Sequence, residues 1–317
     1  MEREPKTLME AVRYFADADR TLATMVELRW PNGVHYPTCG RTDVRFIATR
    51  RMWECKEKHP RKQFSAKVGT IFEDSPLPLD KWFVAVWSIA NCKNGISSYE
   101  LSRAIGVTQK SAWHMLHRIR LAMELGSLDK FDRMTEADET YVGGLAKNMH
   151  ARKCEAVISG TGGVDKAAVV GLLERGDNAS RVCAHMIKDA NAKTLQSVVR
   201  EAVNPGFMLI TDGGTAYNGL SKDYVHQSVD HQGDFVRGIV HTNGIENFWS
   251  HLKRGLKGTY VSVEPFHLGR HIGEQVIRFN ERKDTDAGRF RKMISSVSGK
   301  RLTYKDLIGH AASQAAA

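Results

Sequence analysis

Apolar residues recur at helical spacing along the first 30 residues of the chain and predict helix there. The repeating positions are Leu8, Val12, Phe15 and Ala16, followed by Leu22, Met25 and Leu28. From Pro31 to about Ser75 the pattern changes to short strands and turns that are rich in basic residues. Pro76 and Pro78 mark a boundary, and the helical pattern returns over residues 79–125.

From about Met134 the pattern alternates between strand and helix. Strands are predicted over Thr135–Val142, Ala167–Leu173, Arg181–Ile187 and Phe207–Thr211. Helices are predicted over Ala192–Val203 and Asn243–Leu256. Three early strands, a helix, a further strand and then helices indicate an α/β domain with a mixed sheet and flanking helices.

The chain is basic, because 46 lysines and arginines against 36 aspartates and glutamates leave a formal net charge of +10. This charge favours a polyanionic partner, either nucleic acid or an anionic membrane surface. The most apolar run, Trp82–Ala90, is far shorter than the roughly 20 residues of a membrane-spanning helix. The N-terminus lacks an apolar signal core, and the five cysteines are scattered. We therefore expect a cytoplasmic, nucleic-acid-binding protein with no membrane partner and no disulfide framework.

A short helix, a glycine and a longer basic helix follow one another in the second helical region. Tyr99–Ile105 forms the short helix, Gly106 ends it, and Thr108 is placed to cap the longer one. The longer helix carries the basic residues Lys110, His114, His117, Arg118 and Arg120. This order is typical of a helix-turn-helix, whose second helix enters the major groove of DNA. Two packed core helices would give the same pattern.

Two aspartates lie in or directly after predicted strands. In the segment TEADETYVGG, alternation puts Asp138 on one face with Glu136 and Thr140, and Glu139 on the other. Asp212 directly follows the apolar run FMLIT and precedes two glycines. An acid at a strand end beside glycines, which admit close approach, is a common place for a metal ligand. Each acid taken alone is also explained as a solvated turn residue.

A third acid, Glu246, lies in the last predicted helix, which has two distinct faces. One face carries Glu246, Trp249, Ser250 and Lys253, and the buried face carries Ile245, Phe248, Leu252 and Leu256. A carboxylate and a lysine beside an aromatic ring suit a metal-bound phosphodiester. A structural role is the alternative, because Asn243 at the N-cap with Glu246 three residues later forms a capping box.

The three acids follow the order first strand, later strand, helix, with 74 positions from Asp138 to Asp212 and 34 from Asp212 to Glu246. With this order, the segments ADETYVGG, ITDGGTAY and HTNGIENFWSHLKRGLKGTY resemble bacterial insertion-sequence DDE transposases of the ISXO type. The segment RKQFSAKVGTIFEDSPLPLDKWF, residues 61–83, is similar to the one that joins ribbon and helices in that family. The resemblance covers roughly residues 15–285.

The resemblance implies an RNase H-like mixed sheet with flanking helices, preceded by a small zinc-ribbon-like segment and a helix-turn-helix region. On this layout the chain has four parts. They are an N-terminal helix and ribbon at residues 1–75, a helix-turn-helix DNA-binding region at 76–130, a catalytic domain at 131–295 and a tail at 296–317.

The resemblance also implies a transposase that binds terminal inverted repeats, cleaves the transposon ends and transfers the freed 3′-hydroxyl to target DNA. Asp138, Asp212 and Glu246 would hold Mg²⁺ or Mn²⁺, which prefer oxygen ligands. Two ions about 4 Å apart activate the attacking oxygen and stabilise the leaving one. Lys253 is expected either to contact a phosphate at this site or to be a solvated helix lysine. The implied partners are double-stranded DNA and further copies of the chain.

The ribbon departs from the family pattern of two CxxC pairs. Cys39 remains of the first pair, with Tyr36 at the earlier position, and Cys55 remains of the second. His35 and His59 lie beside the vacant positions. Zinc accepts thiolate and imidazole together, so the four residues that could bind it are His35, Cys39, Cys55 and His59. The alternative is a decayed ribbon that folds without metal.

A basic cluster lies between the first two acids, in a predicted loop. Lys147, His150, Arg152 and Lys153 either touch the DNA backbone or form a solvated turn. Two further functions stay open at this point: an RNase H-like nuclease that cuts without strand transfer, and a decayed or domesticated, non-catalytic DNA-binding regulator. The damaged ribbon favours the regulator, whereas the intact acids favour an enzyme.

Overall fold

The computed structural model describes residues 4–124, 129–143, 166–229 and 239–309. The chain divides into two compact units. One unit combines residues 1–124 with residues 284–317, and the other consists of residues 125–283. The second unit contains all three predicted catalytic acids. The finer division into ribbon, helix-turn-helix, catalytic domain and tail stays a prediction.

Two helices, Leu8–Phe15 and Ala18–Arg29, begin the first unit. The sequence predicts helix throughout this stretch, and the structure adds a break. The Asp17 side chain accepts hydrogen bonds from the backbone N–H groups of Asp19 and Arg20, which caps a new helix. Three short antiparallel strands follow in the order β1-β2-β3, namely β1 (Val44–Ile47), β2 (Met52–Cys55) and β3 (Gln63–Phe64).

The next three helices are Leu79–Asn91, Ser98–Ile105 and Gln109–Met123. The helix Ser98–Ile105 begins with a capping box between Ser97 and Glu100. It ends at Gly106, whose φ of +62° is a left-handed conformation that glycine adopts without strain. The Thr108 hydroxyl then caps the longer helix. The predicted order of short helix, glycine turn and longer helix is therefore present.

The helices Asp286–Ser295 and Tyr304–Leu307 belong to the same unit. The buried ring of Phe290 packs between earlier aromatic residues, with ring centroids 5.1 Å from Phe15 and 5.4 Å from Phe83. This aromatic cluster ties residues after 283 to the first helices of the unit.

The second unit contains a five-stranded sheet in the order β6-β5-β4-β7-β8. Its strands are β4 (Thr135–Val142), β5 (Ala167–Glu174), β6 (Arg181–Ile187), β7 (Met208–Asp212) and β8 (Val225–Val229). β4, β5 and β6 pair antiparallel, whereas β4 with β7 and β7 with β8 pair parallel. The predicted mixed α/β sheet is confirmed. The sequence did not reveal β8, because only Val229 in it is buried and no apolar alternation marks it.

Helices cover both faces of this sheet. One face packs against the helix Ala192–Ala202, and the other packs against the helices Asn243–Gly255 and Pro265–Asn280. The buried positions of the helix Asn243–Gly255 include those predicted from the sequence: Ile245, Phe248 and Leu252. Among the helices in the described ranges, none is both long enough and apolar enough to cross a membrane.

Alternation along β4 decides which acids face the helix Asn243–Gly255. Ala137 lies in the core beneath the helix Ala192–Ala202. Its two neighbours, Glu136 and Asp138, therefore point to the opposite face, where each accepts a hydrogen bond from the helix Asn243–Gly255. The sheet thus brings two carboxylates of one strand under a single helix.

Candidate active site

Asp138 and Asp212 occupy equivalent places on two neighbouring parallel strands. β4 and β7 are in register at Ala137 and Thr211, and an aspartate follows each of these residues. Asp212 is the last residue of β7, and its Oδ1 accepts a hydrogen bond from the Gly214 N–H at 3.3 Å. Strand register therefore places the first two predicted acids next to each other where β7 ends.

Glu246 lies in the first turn of the helix Asn243–Gly255 and is exposed. Its Oε1 accepts a hydrogen bond from the Thr242 hydroxyl at 2.9 Å. The capping box considered for Asn243 is not formed. Thr242 takes the N-cap position, Asn243 is the first helical residue, and the Thr242 side chain makes no capping hydrogen bond to the helix backbone. Capping therefore does not explain why an acid stands at position 246.

The helix face that carries Glu246 is less open than the sequence predicts. Ser250 and Lys253 are exposed, but Trp249 is only 4% exposed. The Trp249 indole N–H donates to Asp138 Oδ2 at 2.9 Å. The prediction of a surface aromatic at this position is corrected: Trp249 is a buried residue that orients the first acid.

Gly171 makes room for the Trp249 indole. This glycine of β5 pairs in register with Asp138 of β4. A Cβ at position 171 would lie 2.5 Å from Trp249 Cη2 and 2.9 Å from Ile245 Cδ1, which is closer than carbon atoms approach in proteins. The missing side chain therefore allows the helix Asn243–Gly255 to approach the sheet closely.

Burial and neighbouring negative charges raise the pKa of two acids of β4, Asp138 and Glu139. Burial raises the pKa of Asp138 to about 6, and the negative charges of Asp212 and Glu246 add to this, against hydrogen bonds from the Glu139 N–H and the Trp249 indole. Burial raises the pKa of Glu139 to about 7, again with the charges of Asp212 and Asp138 acting in the same direction. A cation at this place would favour the ionised forms. The electrostatics thus suit a divalent metal.

Glu139 is a fourth acid at this site, although it points to the opposite face of β4. Its Oε2 accepts a hydrogen bond from the Tyr217 hydroxyl at 2.7 Å. Tyr217 lies in the 3-10 helix Thr215–Lys222 directly after β7, and burial together with the Glu139 charge raises its pKa. The two residues are 78 positions apart, and no local pattern in the sequence signals their contact.

The three acids differ from the ribbon residues in how their donor atoms are grouped. Over the described ranges, the donor atoms of Cys39, Cys55 and His59 all lie within 4.8 Å of one another, and Asp138, Asp212 and Glu246 do not form such a group.

The ribbon contains a second candidate metal site. Cys55 is buried at the end of β2, and its Sγ lies 4.0 Å from Cys39 Sγ. His59 Nε2 is buried without a hydrogen-bond partner in the structure, so it is free to bind a metal. His35 does not join this set. It is exposed, and its ring lies 6.0 Å from that of Trp30. Two thiols and an imidazole are donors that zinc prefers, and they supply three of the usual four ligands.

Tyr36 stands where the family pattern places the first cysteine of the ribbon. It is buried, its hydroxyl donates to the Arg61 carbonyl at 2.6 Å, and its ring centroid lies 4.7 Å from that of His59. At this position, packing and a hydrogen bond therefore connect parts of the ribbon that a metal–thiolate bond would otherwise connect.

The basic residues of the helix Gln109–Met123 differ in exposure. Lys110 is exposed in the first turn, with its Nζ 4.7 Å from the centre of the Tyr304 ring. His114 is half-buried, and burial together with the charge of Arg118 lowers its pKa. Arg118 is only 6% exposed, and its guanidinium donates to the Glu73 carbonyl. Contact with DNA requires an exposed side chain, whereas Arg118 is buried in this structure.

Two further basic residues of this helix, His117 and Arg120, are also buried. Of the predicted basic residues of this helix, the exposed one is therefore Lys110 in the first turn, the end that contacts base edges in helix-turn-helix proteins. The predicted DNA contacts Lys147, Arg152 and Lys153 lie outside the described residues.

Comparison with known proteins finds two parts of the chain that match transposase domains. Residues 132–280 match the family model of the ISXO2-like transposase domain, and residues 17–59 match that of the transposase zinc-ribbon domain. These matches confirm the resemblance found in the sequence. The chain is thus similar to a transposase zinc-ribbon domain over its early residues and to an ISXO2-like transposase domain over its later ones.

Two curated relatives agree with this assignment. The chain is 27% identical over 260 residues to a Halobacterium salinarum protein named "Uncharacterized protein in transposable element ISH50", covering 78% of this chain and 86% of the relative. It is 29% identical over 101 residues to an "Uncharacterized transposase-like protein" of Haemophilus influenzae, covering 32% of this chain and 81% of that protein.

One similar solved structure is the simian T-cell lymphotropic virus intasome in complex with PP2A regulatory subunit B56 gamma. The match has 11% identity and a TM-score of 0.28, over 59% of this chain and 66% of that one.

Substitution of Gly171 by alanine tests the close approach of helix and sheet. The added Cβ overlaps the Trp249 ring, which is buried and has little room to move. We expect a loss of about 1–3 kcal/mol in the free energy of unfolding, measured by urea denaturation. Gly258→Ala is the control, because open space surrounds that position. An equal, negligible effect of both substitutions would contradict the packing described here.

Zinc content tests the ribbon site. We expect about one zinc ion per purified chain, lost in Cys55→Ser and retained in His35→Ala, because His35 lies outside the ligand set. Atomic absorption on the three proteins measures this. Zinc-free wild-type protein whose melting temperature does not change with a chelator would instead identify a ribbon that folds without metal.

Proposed function

We propose that the protein is an active DNA transposase that cleaves the ends of its element and transfers them into target DNA. The observation that supports this most strongly is the arrangement of three acids. Asp138 and Asp212 stand at matching positions of adjacent parallel strands, and Glu246 stands in the first turn of the helix that packs against β4. That helix contacts Asp138 directly through Trp249.

Asp138, Asp212 and Glu246 are the residues that would hold Mg²⁺ or Mn²⁺. Their hard oxygen donors and the raised pKa of Asp138 fit such ions. When bound, two ions activate the attacking oxygen and stabilise the leaving oxygen in an in-line displacement. The attacking oxygen comes from water during cleavage at the transposon end and from the freed 3′-hydroxyl during strand transfer.

The chain's own residues orient this chemistry. Trp249 fixes one oxygen of Asp138, and the Gly214 N–H fixes one oxygen of Asp212. Lys253 is exposed on the same helix, seven residues after Glu246, where its charge can hold a DNA phosphate near the acids. The partners on this account are double-stranded DNA and further copies of the chain assembled on it.

A nuclease without strand transfer would use the same acids, and only the family blocks favour transposition over it. A domesticated, non-catalytic regulator is less well supported. Such a copy has no need of a buried tryptophan and a facing glycine that maintain Asp138, yet both features are intact.

Carboxamide substitutions test the triad. Asp138→Asn, Asp212→Asn and Glu246→Gln each keep the shape of the side chain and remove one negative charge from the ion site. We expect end cleavage and strand transfer to fall by at least about 100-fold, since loss of outer-shell partners alone costs 10–100-fold. DNA binding and melting temperature should change little. The measurement uses a labelled transposon-end duplex with Mg²⁺.

Asp223→Asn is the matched control for these variants. Asp223 belongs to the same unit but pairs with Arg200 at 2.9 Å, so its loss should leave cleavage at the wild-type level. Wild-type cleavage by Glu246→Gln would remove Glu246 from the active site and make Glu139 the next residue to test. Cleavage without strand transfer by the wild-type protein would identify the nuclease.

DNA contacts outside the acids are predicted to be of two kinds. Neutralising Lys147, Arg152 and Lys153 together should weaken binding to all sequences and reduce the salt slope by about one unit for each phosphate that is no longer neutralised. Substituting Lys110 or His114 should change preference for the transposon end instead. Fluorescence anisotropy at several salt concentrations separates these effects. An unchanged salt slope in the triple variant would mean that these residues do not contact phosphates.

A further inference from the structure

Glu136 is a buried carboxylate two residues before Asp138 on the same face of β4. Its side chain is 1% exposed. Oε1 accepts a hydrogen bond from Arg175 Nε at 2.6 Å, and Oε2 accepts one from the backbone N–H of Ile245 at 2.8 Å. The second hydrogen bond satisfies an N–H in the first turn of the helix Asn243–Gly255, which has no partner within the helix. A negative charge at this end also favours the helix dipole.

Arg175, the residue directly after β5, holds the segment that leads into the same helix. Besides Glu136, its guanidinium donates to the carbonyls of Ile239 and His241, both at 2.6 Å. One side chain therefore connects the sheet, the buried carboxylate and the entry to the helix.

The helix is attached to β4 at two points, and the distance between these points is about the same along the strand as along the helix. Glu136 binds the Ile245 N–H and Asp138 binds the Trp249 indole, so two strand residues meet two helix residues four positions apart. Two strand residues span about 6.6 Å, and four helical residues span about 6 Å. Glu246 lies between these attachments, one residue after Ile245. Its height above the strand is therefore fixed by Glu136 on one side and Trp249 on the other.

The approach of the helix to Glu136 is also sterically close. A Cβ on Gly244 would lie 2.9 Å from each carboxylate oxygen of Glu136, so the helix begins almost in contact with this group. A loose or water-filled arrangement would not require a glycine there.

We propose that Glu136 and Arg175 are positioning residues that hold the Glu246 carboxylate in place for divalent cations. This role rests on the proposed function of the three acids as the ion site. It predicts that removing the hydrogen bonds of Glu136 weakens metal binding even when the protein stays folded and all three acids are present.

Glu174 and Arg181 provide a matched control pair in the same sheet. Glu174 is 5% exposed, accepts from Arg181 Nε at 2.8 Å and accepts from the Asp132 N–H at 2.9 Å. It thus has the same kind of partners as Glu136, an arginine and a backbone N–H, but its backbone partner belongs to the segment before β4. A purely structural role for Glu136 predicts that Glu136→Gln and Glu174→Gln behave alike.

The experiment compares full-length wild type, Glu136→Gln, Glu174→Gln and Arg175→Lys. A glutamine at 136 turns an N–H toward one of its two donors, so one hydrogen bond is broken without a large change of volume. Mn²⁺ binding is followed by the EPR signal of the free ion. Hydrogen exchange of residues 239–250 is measured without metal, and end cleavage is measured alongside. Arg175→Lys keeps the charge beside Glu136, but the single ammonium group of lysine cannot reach Glu136 and the carbonyls of Ile239 and His241 at the same time.

We expect Glu136→Gln and Arg175→Lys to raise the dissociation constant for Mn²⁺ by about 10-fold or more and to speed exchange at residues 239–250. Glu174→Gln should change the dissociation constant for Mn²⁺ and the exchange rate by less than about twofold. Its melting temperature should fall about as much as that of Glu136→Gln. Equal Mn²⁺ affinity and equal exchange in Glu136→Gln and Glu174→Gln would overturn the positioning role. If Glu136→Gln does not fold, Arg175→Lys decides by the same two readouts.

The outcomes for the two proposals are distinguishable. The variants could show the expected differences in exchange while the wild-type protein cleaves no transposon end. That result would contradict the proposed function and leave Glu136 as a residue that anchors the helix. An active wild type with a Glu136→Gln variant that matches the control would contradict the positioning role alone.

Discussion

The attachment of the helix Asn243–Gly255 to strand β4 is the constraint on which the candidate active site depends. Burial of Asp138, together with the nearby negative charges of Asp212 and Glu246, disfavours its ionised form and raises its pKa. Interactions among the acids therefore do not stabilise this arrangement. The favourable free energy comes from apolar residues on the same helix, where Ile245 and Phe248 are fully buried. The hydrogen bond from Trp249 then sets the position of the helix along the strand.

Local patterns in the sequence predict most of the elements of the second unit, and long-range contacts explain what they miss. Apolar periodicity predicts β4 and β6 at their observed bounds and the helix Asn243–Gly255 to within a residue. Of the acids, Asp212 lies at the end of its strand, whereas Asp138 lies inside β4. The burial of Trp249 depends instead on Gly171, which strand register brings opposite Asp138 from 33 positions further along the chain. No local pattern contains that register.

The first unit gives a second example of the same limit. The spacing of the ribbon residues makes His35 and His59 equivalent candidates, and only the fold distinguishes them, because it brings an imidazole nitrogen of His59 close to the two cysteines. Likewise, the sequence shows which residues of the helix Gln109–Met123 are basic, but helical spacing does not show which of their side chains are exposed. Arg118 turns inward because the Glu73 carbonyl accepts its hydrogen bond and the Trp82 ring lies 5.7 Å away.

The central claim is that Asp138, Asp212 and Glu246 bind a pair of divalent ions. Anomalous diffraction from crystals of the protein with transposon-end DNA and Mn²⁺ measures this most directly. The account predicts two manganese peaks about 3.5–4 Å apart, both within coordination distance of these carboxylates. A single peak, or peaks bound by other residues while Glu246 stays without a metal contact, would contradict it.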